Sequence, residues 1–246
     1  NADFWHPVRE TLKKKYGQKL CVVGLVGAAG DQCPAQGSFI KHSQKAEQRM
    51  LRLRKTDHVG ELARRIVRAV NDTFEVVRND RHTAVPLVHK VETVNLPMRV
   101  VTQGEYDKAK RVCDQYATKV AKDPKASDQH YRRMKWYKVT VERFERQKTD
   151  PSPTYPVEIH VLRIGDAVIC TNPFELYTEY GIRIKARSKA EQTFVVQLAG
   201  RFAWYLPTAE AIRGGGYSTE VESNMVGPEG GQALVDRTVE TINSMF

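Results

Sequence analysis

The segment "VEIHVLRIGDAVICTNP", Val157–Pro173, decides the fold class. Two runs rich in β-branched residues flank Gly165-Asp166, a pair suited to a tight hairpin turn. The stretch after it, "TFVVQLAG" (Thr193–Gly200), reads as a buried strand. The stretch before it, "VPLVHKVETVNLPMRVV" (Val85–Val101), reads as extended strand, with Pro86 and Pro97 marking edges or breaks. A further strand is predicted near 20–26. Apolar residues recurring three and four apart predict helices near 5–16, 173–189 and 229–245, the last presenting Leu234, Val235, Thr238, Ile242 and Met245 to a core. Strands and helices alternate irregularly, with a hairpin among them. That pattern predicts an α/β fold with a mixed β-sheet and flanking helices.

The chain has 246 residues, enough for one large domain or two small ones. It is 41% hydrophobic and 28% charged, a balance that argues against disorder. The longest apolar runs, such as Leu20–Ala29, are too short to span a bilayer. Cys21, Cys33, Cys113 and Cys170 are scattered without CxxC spacing, which favours free thiols and a cytoplasmic over an oxidising compartment. The start at Asn1 looks internal, as expected for one piece of a processed precursor.

The net charge of +10 raises the question of nucleic acid. The excess sits in two segments that read as long helices, residues 41–68 and the basic helical region of about 104–148, each with a net charge of +6. Charges on the outer face of such helices are ordinarily just solvated, and no recognisable nucleic-acid motif accompanies them, so no nucleic-acid partner is expected.

Three places could carry chemistry. In "VGLVGAAGDQCPAQG" (Val23–Gly37), Gly24, Gly27 and Gly30 follow an apolar run, but Asp31, Cys33 and Pro34 interrupt any dinucleotide-binding loop. Cys33 is either a small buried turn residue or a thiol presented at a strand end. In "CTNPFELYTEYGIR" (Cys170–Arg183), Asn172, Pro173 and Glu175 form a capping-box pattern. A carboxylate there could instead face a cleft as metal ligand or acid/base. In "RFAWYLPTAEAIRGGGYSTEVESNMVGPEGG" (Arg201–Gly231), Tyr205 ends an apolar strand and Tyr217 follows three glycines. The glycines make either a flexible loop or a mount for a hydroxyl aimed at an oxyanion.

Taken together, "GDQCP" (Gly30–Pro34), "NPFELYTEYGIRI" (Asn172–Ile184) and "WYLPTAEAIRGGGYS" (Trp204–Ser218) resemble the catalytic domain of the neutral ceramidases and their shorter bacterial relatives. The terminal segment from Val226 to Phe246 is similar to those short members, while the basic region of 104–148 has no matched counterpart. The family comprises zinc-dependent amidohydrolases. The resemblance implies that Glu175 and Tyr205 are zinc ligands and that Tyr217 helps polarise the scissile carbonyl. It implies that Asp31 and Cys33 stand beside the attacked carbon, Cys33 replacing the family's serine. His6, His42, His58, His82, His89, His130 and His160 lie outside any matching motif for the family's two zinc histidines.

The expectation is therefore the C-terminal half of a ceramidase-like catalytic domain, completed by an N-terminal half or subunit that supplies the histidines. The reaction implied is cleavage of an amide, ceramide or a smaller N-acyl compound, by metal-activated water. A binding or regulatory subunit of the same fold and a basic nucleic-acid-binding protein are the alternatives.

Overall fold

The structure, a computed structural model, describes residues 2–32, 45–122 and 127–246; Cys33 and His42 lie outside the described residues. Its helices are α1 (Trp5–Tyr16), α2 (Lys45–Arg54), α3 (His58–Val77), α4 (Gln103–Lys122), α5 (Ser127–Gln147), α6 (Thr178–Arg187), α7 (Ala209–Gly214) and α8 (Pro228–Asn243). Its strands are β1 (Leu87–Pro97), β2 (Thr154–Ile164), β3 (Ala167–Thr171), β4 (Glu175–Leu176), β5 (Gln192–Val196) and β6 (Tyr205–Leu206). The chain divides into two compact units, one formed by residues 1–25 and 33–85, the other by residues 26–32 and 86–246.

In the first unit α1 lies against α3. Val8, Leu12 and Ala63 are buried there beneath Trp5, Tyr16, Ile66 and Val67. Helix α3 begins where the Asp57 side chain accepts from the Gly60 N–H at 2.7 Å, an N-cap bond that satisfies one free helical donor. Glu61 is 2% exposed and is clasped by Arg64, through Nε and Nη2 at 2.8 and 2.7 Å, and by Arg65 Nε at 3.0 Å. Part of the basic charge of residues 41–68 is thus spent on one buried carboxylate.

The second unit is built on a four-stranded sheet of order β1-β2-β3-β5. The β2–β3 hairpin turns at Gly165-Asp166 as the sequence predicts, while β5 joins β3 in parallel, making the sheet mixed. One face is dry. Val157, Ile159, Val161, Val168, Cys170 and Val195 are buried there in one core with Tyr180 and Ile184 of α6 and Leu234, Val235, Val239 and Ile242 of α8. Helix α8 is further tied to β1, where Glu92 accepts from Arg237 Nε at 2.6 Å and the Thr241 hydroxyl at 2.9 Å. The opposite face leaves large apolar side chains in solvent: Leu87 is 70% exposed, Val91 50%, Phe194 47% and Ile164 44%.

Two expectations need correction. Residues 20–26 form no strand, because their apolar run has no ladder to join; Gln197 N–H donates to Val26 O at 2.9 Å, and Val23 stays 72% exposed. The helix expected from 173 begins only at Thr178. The preceding residues are held extended by neighbours distant in sequence. Asn172 N–H donates to Val196 O, Glu175 N–H to Trp204 O, and Phe174 O accepts from Leu198 N–H. Helix α7 was not anticipated; Thr208 caps it by accepting from the Ala211 N–H at 3.2 Å.

Candidate active site

The capping box read at Asn172, Pro173 and Glu175 does not form. The Asn172 side chain accepts instead from the Phe174 N–H at 3.1 Å, a local bond that Asn favours in turns. Glu175 lies in β4, which pairs in parallel with β6 so that Glu175 stands opposite Tyr205 and Leu176 opposite Leu206. The Tyr205 phenol lies close enough to the Glu175 carboxylate to feel its charge. Burial first, then this carboxylate, pushes the phenol up to about 12. Two oxygen-bearing side chains distant in sequence thereby stand at paired positions.

Tyr217 completes the cluster. Its ring meets Tyr205 edge-on, with centroids 6.0 Å apart and planes at 81°, and is itself 64% exposed. It follows Gly215 and Gly216, whose φ angles of 77° and 118° only glycine adopts readily. The next residue, Ser218, has its hydroxyl 2.6 Å from that of Tyr177, a buried tyrosine just after β4. The loop carrying Tyr217 is thus tied to the β4–α6 junction.

Asp31 reaches the same junction from the start of the unit. Its Oδ1 accepts from the Thr178 N–H at 2.8 Å and the Thr178 hydroxyl at 2.7 Å. Partial burial alone would raise its pKa, but the bonds from Thr178 outweigh it and hold the carboxyl below the ordinary aspartate value. Asp31 therefore caps α6 as an ionised group. The loop sits close on β4: Gly30 N–H donates to Leu176 O at 2.8 Å, and a Cβ at Gly30 would lie 2.2 Å from Glu175 O. Gln197 fastens the pair, its side-chain carbonyl accepting from Ala29 N–H at 3.0 Å and Leu176 N–H at 2.9 Å.

Several contributors carried no sequence signal. Trp204, immediately before Tyr205, has φ of 64°, a left-handed conformation that costs a non-glycine residue about 1–2 kcal/mol. It is held there by packing on Phe202 and on Trp136 of α5. Arg143 of α5, 5% exposed, donates to the carbonyls of Val221 and Asn224 at 2.9 and 3.0 Å and to that of Arg99 at 2.8 Å. Arg99 in turn donates to Thr219 O at 2.7 Å and Asn224 Oδ1 at 2.6 Å, and pairs with Glu105 of α4. The basic helices therefore anchor the loop that presents Tyr217. A buried arginine fixing carbonyls is visible only once the loop is folded.

Of this unit's histidines, His130 stands beside Tyr116 and the other two gather elsewhere. His89 and His160 are hydrogen-bonded at 3.1 Å on the exposed sheet face, with His160 also 3.1 Å from Glu158. Among the described residues no group of three or more His, Cys, Asp or Glu could hold a metal ion. The site as described thus unites Glu175, Tyr205 and Tyr217, with Asp31 at the adjoining helix start. For zinc its donors fit in part, as two oxygen ligands of the three protein ligands a catalytic centre takes.

Comparison with solved structures places this fold. The crystal structure of neutral ceramidase from Pseudomonas aeruginosa matches over 100% of this chain and 41% of its own, with a TM-score of 0.54 and 14% identity. The chain thus has a ceramidase-like fold and spans under half the length of that protein. A ceramidase complexed with C2 matches 37% of this chain and 15% of its own at 22% identity, with a TM-score of 0.33. No protein-family model and no curated protein matches the sequence. No described helix is long and apolar enough to cross a membrane.

Proposed function

We propose that this chain supplies the carboxylate and phenol side of an amide-hydrolase site of the ceramidase kind, acting on an N-acyl compound. The observation that carries this reading is the pairing of Glu175 with Tyr205. A local cap pattern is abandoned so that a carboxylate and a phenol from segments thirty residues apart share one strand register.

Glu175 and Tyr205 would hold zinc, which when bound polarises a carbonyl and acidifies water. Tyr217, edge-on to Tyr205 and open to solvent, donates its hydroxyl to the oxygen that gains charge as the amide carbon is attacked. Asp31 keeps its loop fixed against β4 by capping α6; the motif resemblance gives Cys33, outside the described residues, the proton-transfer role. The remaining ligands are histidines from a partner polypeptide, the N-terminal half of the same catalytic domain. The bare apolar sheet face is what supports such a partner.

The test is metal analysis of the native assembly. Glu175→Gln is expected to abolish stoichiometric zinc and N-acyl amide hydrolysis while leaving the far-ultraviolet circular dichroism unchanged. Zinc retained by that variant would overturn the assignment.

A further inference from the structure

A cavity of about 680 Å³ opens beside Tyr217, lined by Gln129, Arg132, Arg133, Trp136, Tyr217 and Glu220. Four of the six come from α5 at positions i, i+3, i+4 and i+7, so one face of that helix forms a continuous wall. Its aromatic end is seated on the site: the Trp136 and Tyr217 rings stand parallel, 7° apart in plane and 6.3 Å between centroids. Its other end is cationic. Arg132 spends only Nε, on the Asp128 carbonyl at 3.1 Å, and neither arginine has a carboxylate partner among the described residues. The acid in the wall, Glu220, faces Lys108 at 3.8 Å. Two guanidiniums therefore face a ligand space with no acid among the described residues engaging them.

We infer that this wall selects an N-acyl substrate whose head group bears an oxyanion, a carboxylate in the simplest case, with the Arg132–Arg133 pair binding the anion and Trp136 covering the apolar part next to Tyr217. The inference rests on the amide-hydrolase reading and names its substrate class. Guanidiniums match carboxylate geometry with paired donors, and such charge-assisted bonds are the stronger ones. A neutral head group would leave both charges facing water and gain nothing from them.

The experiment measures binding by calorimetry to the native assembly, with N-lauroylglycine and its uncharged counterpart N-lauroylethanolamine as probes. N-lauroylglycine is expected to bind about tenfold more tightly, the size of one charge-assisted contact. Its affinity should fall as salt rises from about 50 to about 500 mM, while the neutral probe stays unaffected. The double variant Arg132→Gln with Arg133→Gln, both exposed and outside the core, should erase the preference and leave the neutral probe within about twofold. Equal affinity for the two probes, or a preference surviving in the double variant, overturns the inference. Because binding and hydrolysis are read in separate assays, a preserved preference with no hydrolysis of either probe defeats the amide-hydrolase reading alone. Hydrolysis of both probes without preference defeats this inference alone.

Discussion

Replacing Arg143 by methionine tests whether the basic helices anchor the Tyr217 loop. The guanidinium supplies three bonds to the carbonyls of Val221, Asn224 and Arg99. Methionine fills similar space and offers no donor, so two buried acceptors and one half-buried acceptor lose this donor. At about 1–3 kcal/mol each, the gross cost is about 3–9 kcal/mol. Against it stands the relief of a buried charge. Burial, then the neighbouring Arg99, pushes the Arg143 pKa down to about 10. At 1.36 kcal/mol per pKa unit, that depression from the ordinary arginine value corresponds to about 3 kcal/mol. The net expectation is a loss of about 3 kcal/mol, within the range for breaking one partner of a buried polar network. Urea unfolding followed by fluorescence measures it, and near-ultraviolet circular dichroism reports the Trp136–Tyr217 stack, which should weaken in the same variant. Arg143→Lys keeps the charge without the fork and should fall between the two. A methionine variant within about 0.5 kcal/mol of the parent, the range of an ordinary surface substitution, would show that the loop does not depend on this arginine.

Two further outcomes follow from the same structure. Glu61 has its pKa lowered to about 2, chiefly by its hydrogen bond from Arg64 and against the opposing effect of desolvation. A depressed folded value means that this stabilisation is complete above the unfolded glutamate value of about 4.3 and is lost as pH falls toward 2. Glu61→Gln should therefore destabilise the protein at neutral pH and flatten its acid limb in pH-resolved melting curves; an unchanged limb would contradict the assignment. Gly30→Ala places a Cβ 2.2 Å from Glu175 O, so the loop must lift from β4 at a cost of about 1–3 kcal/mol. On the proposed amide-hydrolase reading the rate should drop with it, and a variant matching the parent in both stability and rate would show that the close approach is dispensable.

How much of this was legible in the sequence depended on whether the deciding interactions were local. The Gly165-Asp166 hairpin, the final helix and the helical character of the two basic segments announce themselves, because turn chemistry and apolar spacing act within a few residues. Glu175 was ambiguous for the same reason. The sequence offers a complete local cap, and only pairing with Tyr205, Trp204 and Leu198 pulls those residues into extended form. The strand expected at 20–26 failed because apolar alternation specifies a strand only where a neighbour accepts its hydrogen bonds. Gln197 and Arg143 gave no warning, since each holds backbone groups far away in the chain. The cluster of Glu175, Tyr205 and Tyr217 was named through motif resemblance; the fold sets Glu175 opposite Tyr205 and the Tyr217 ring edge-on to Tyr205, which spacing could not supply.

The uncovered sheet face sets a demand on the cell. Leu87, Val91, Ile164 and Phe194 offer a freshly made copy a greasy plane next to the unpaired edge of β1. Surfaces of that kind recruit chaperones and invite clumping when nothing shields them. On the proposed two-chain reading, steady accumulation of this polypeptide would hinge on synthesis matched in amount and timing to the partner that shields the plane, and surplus copies would become prey for proteolysis.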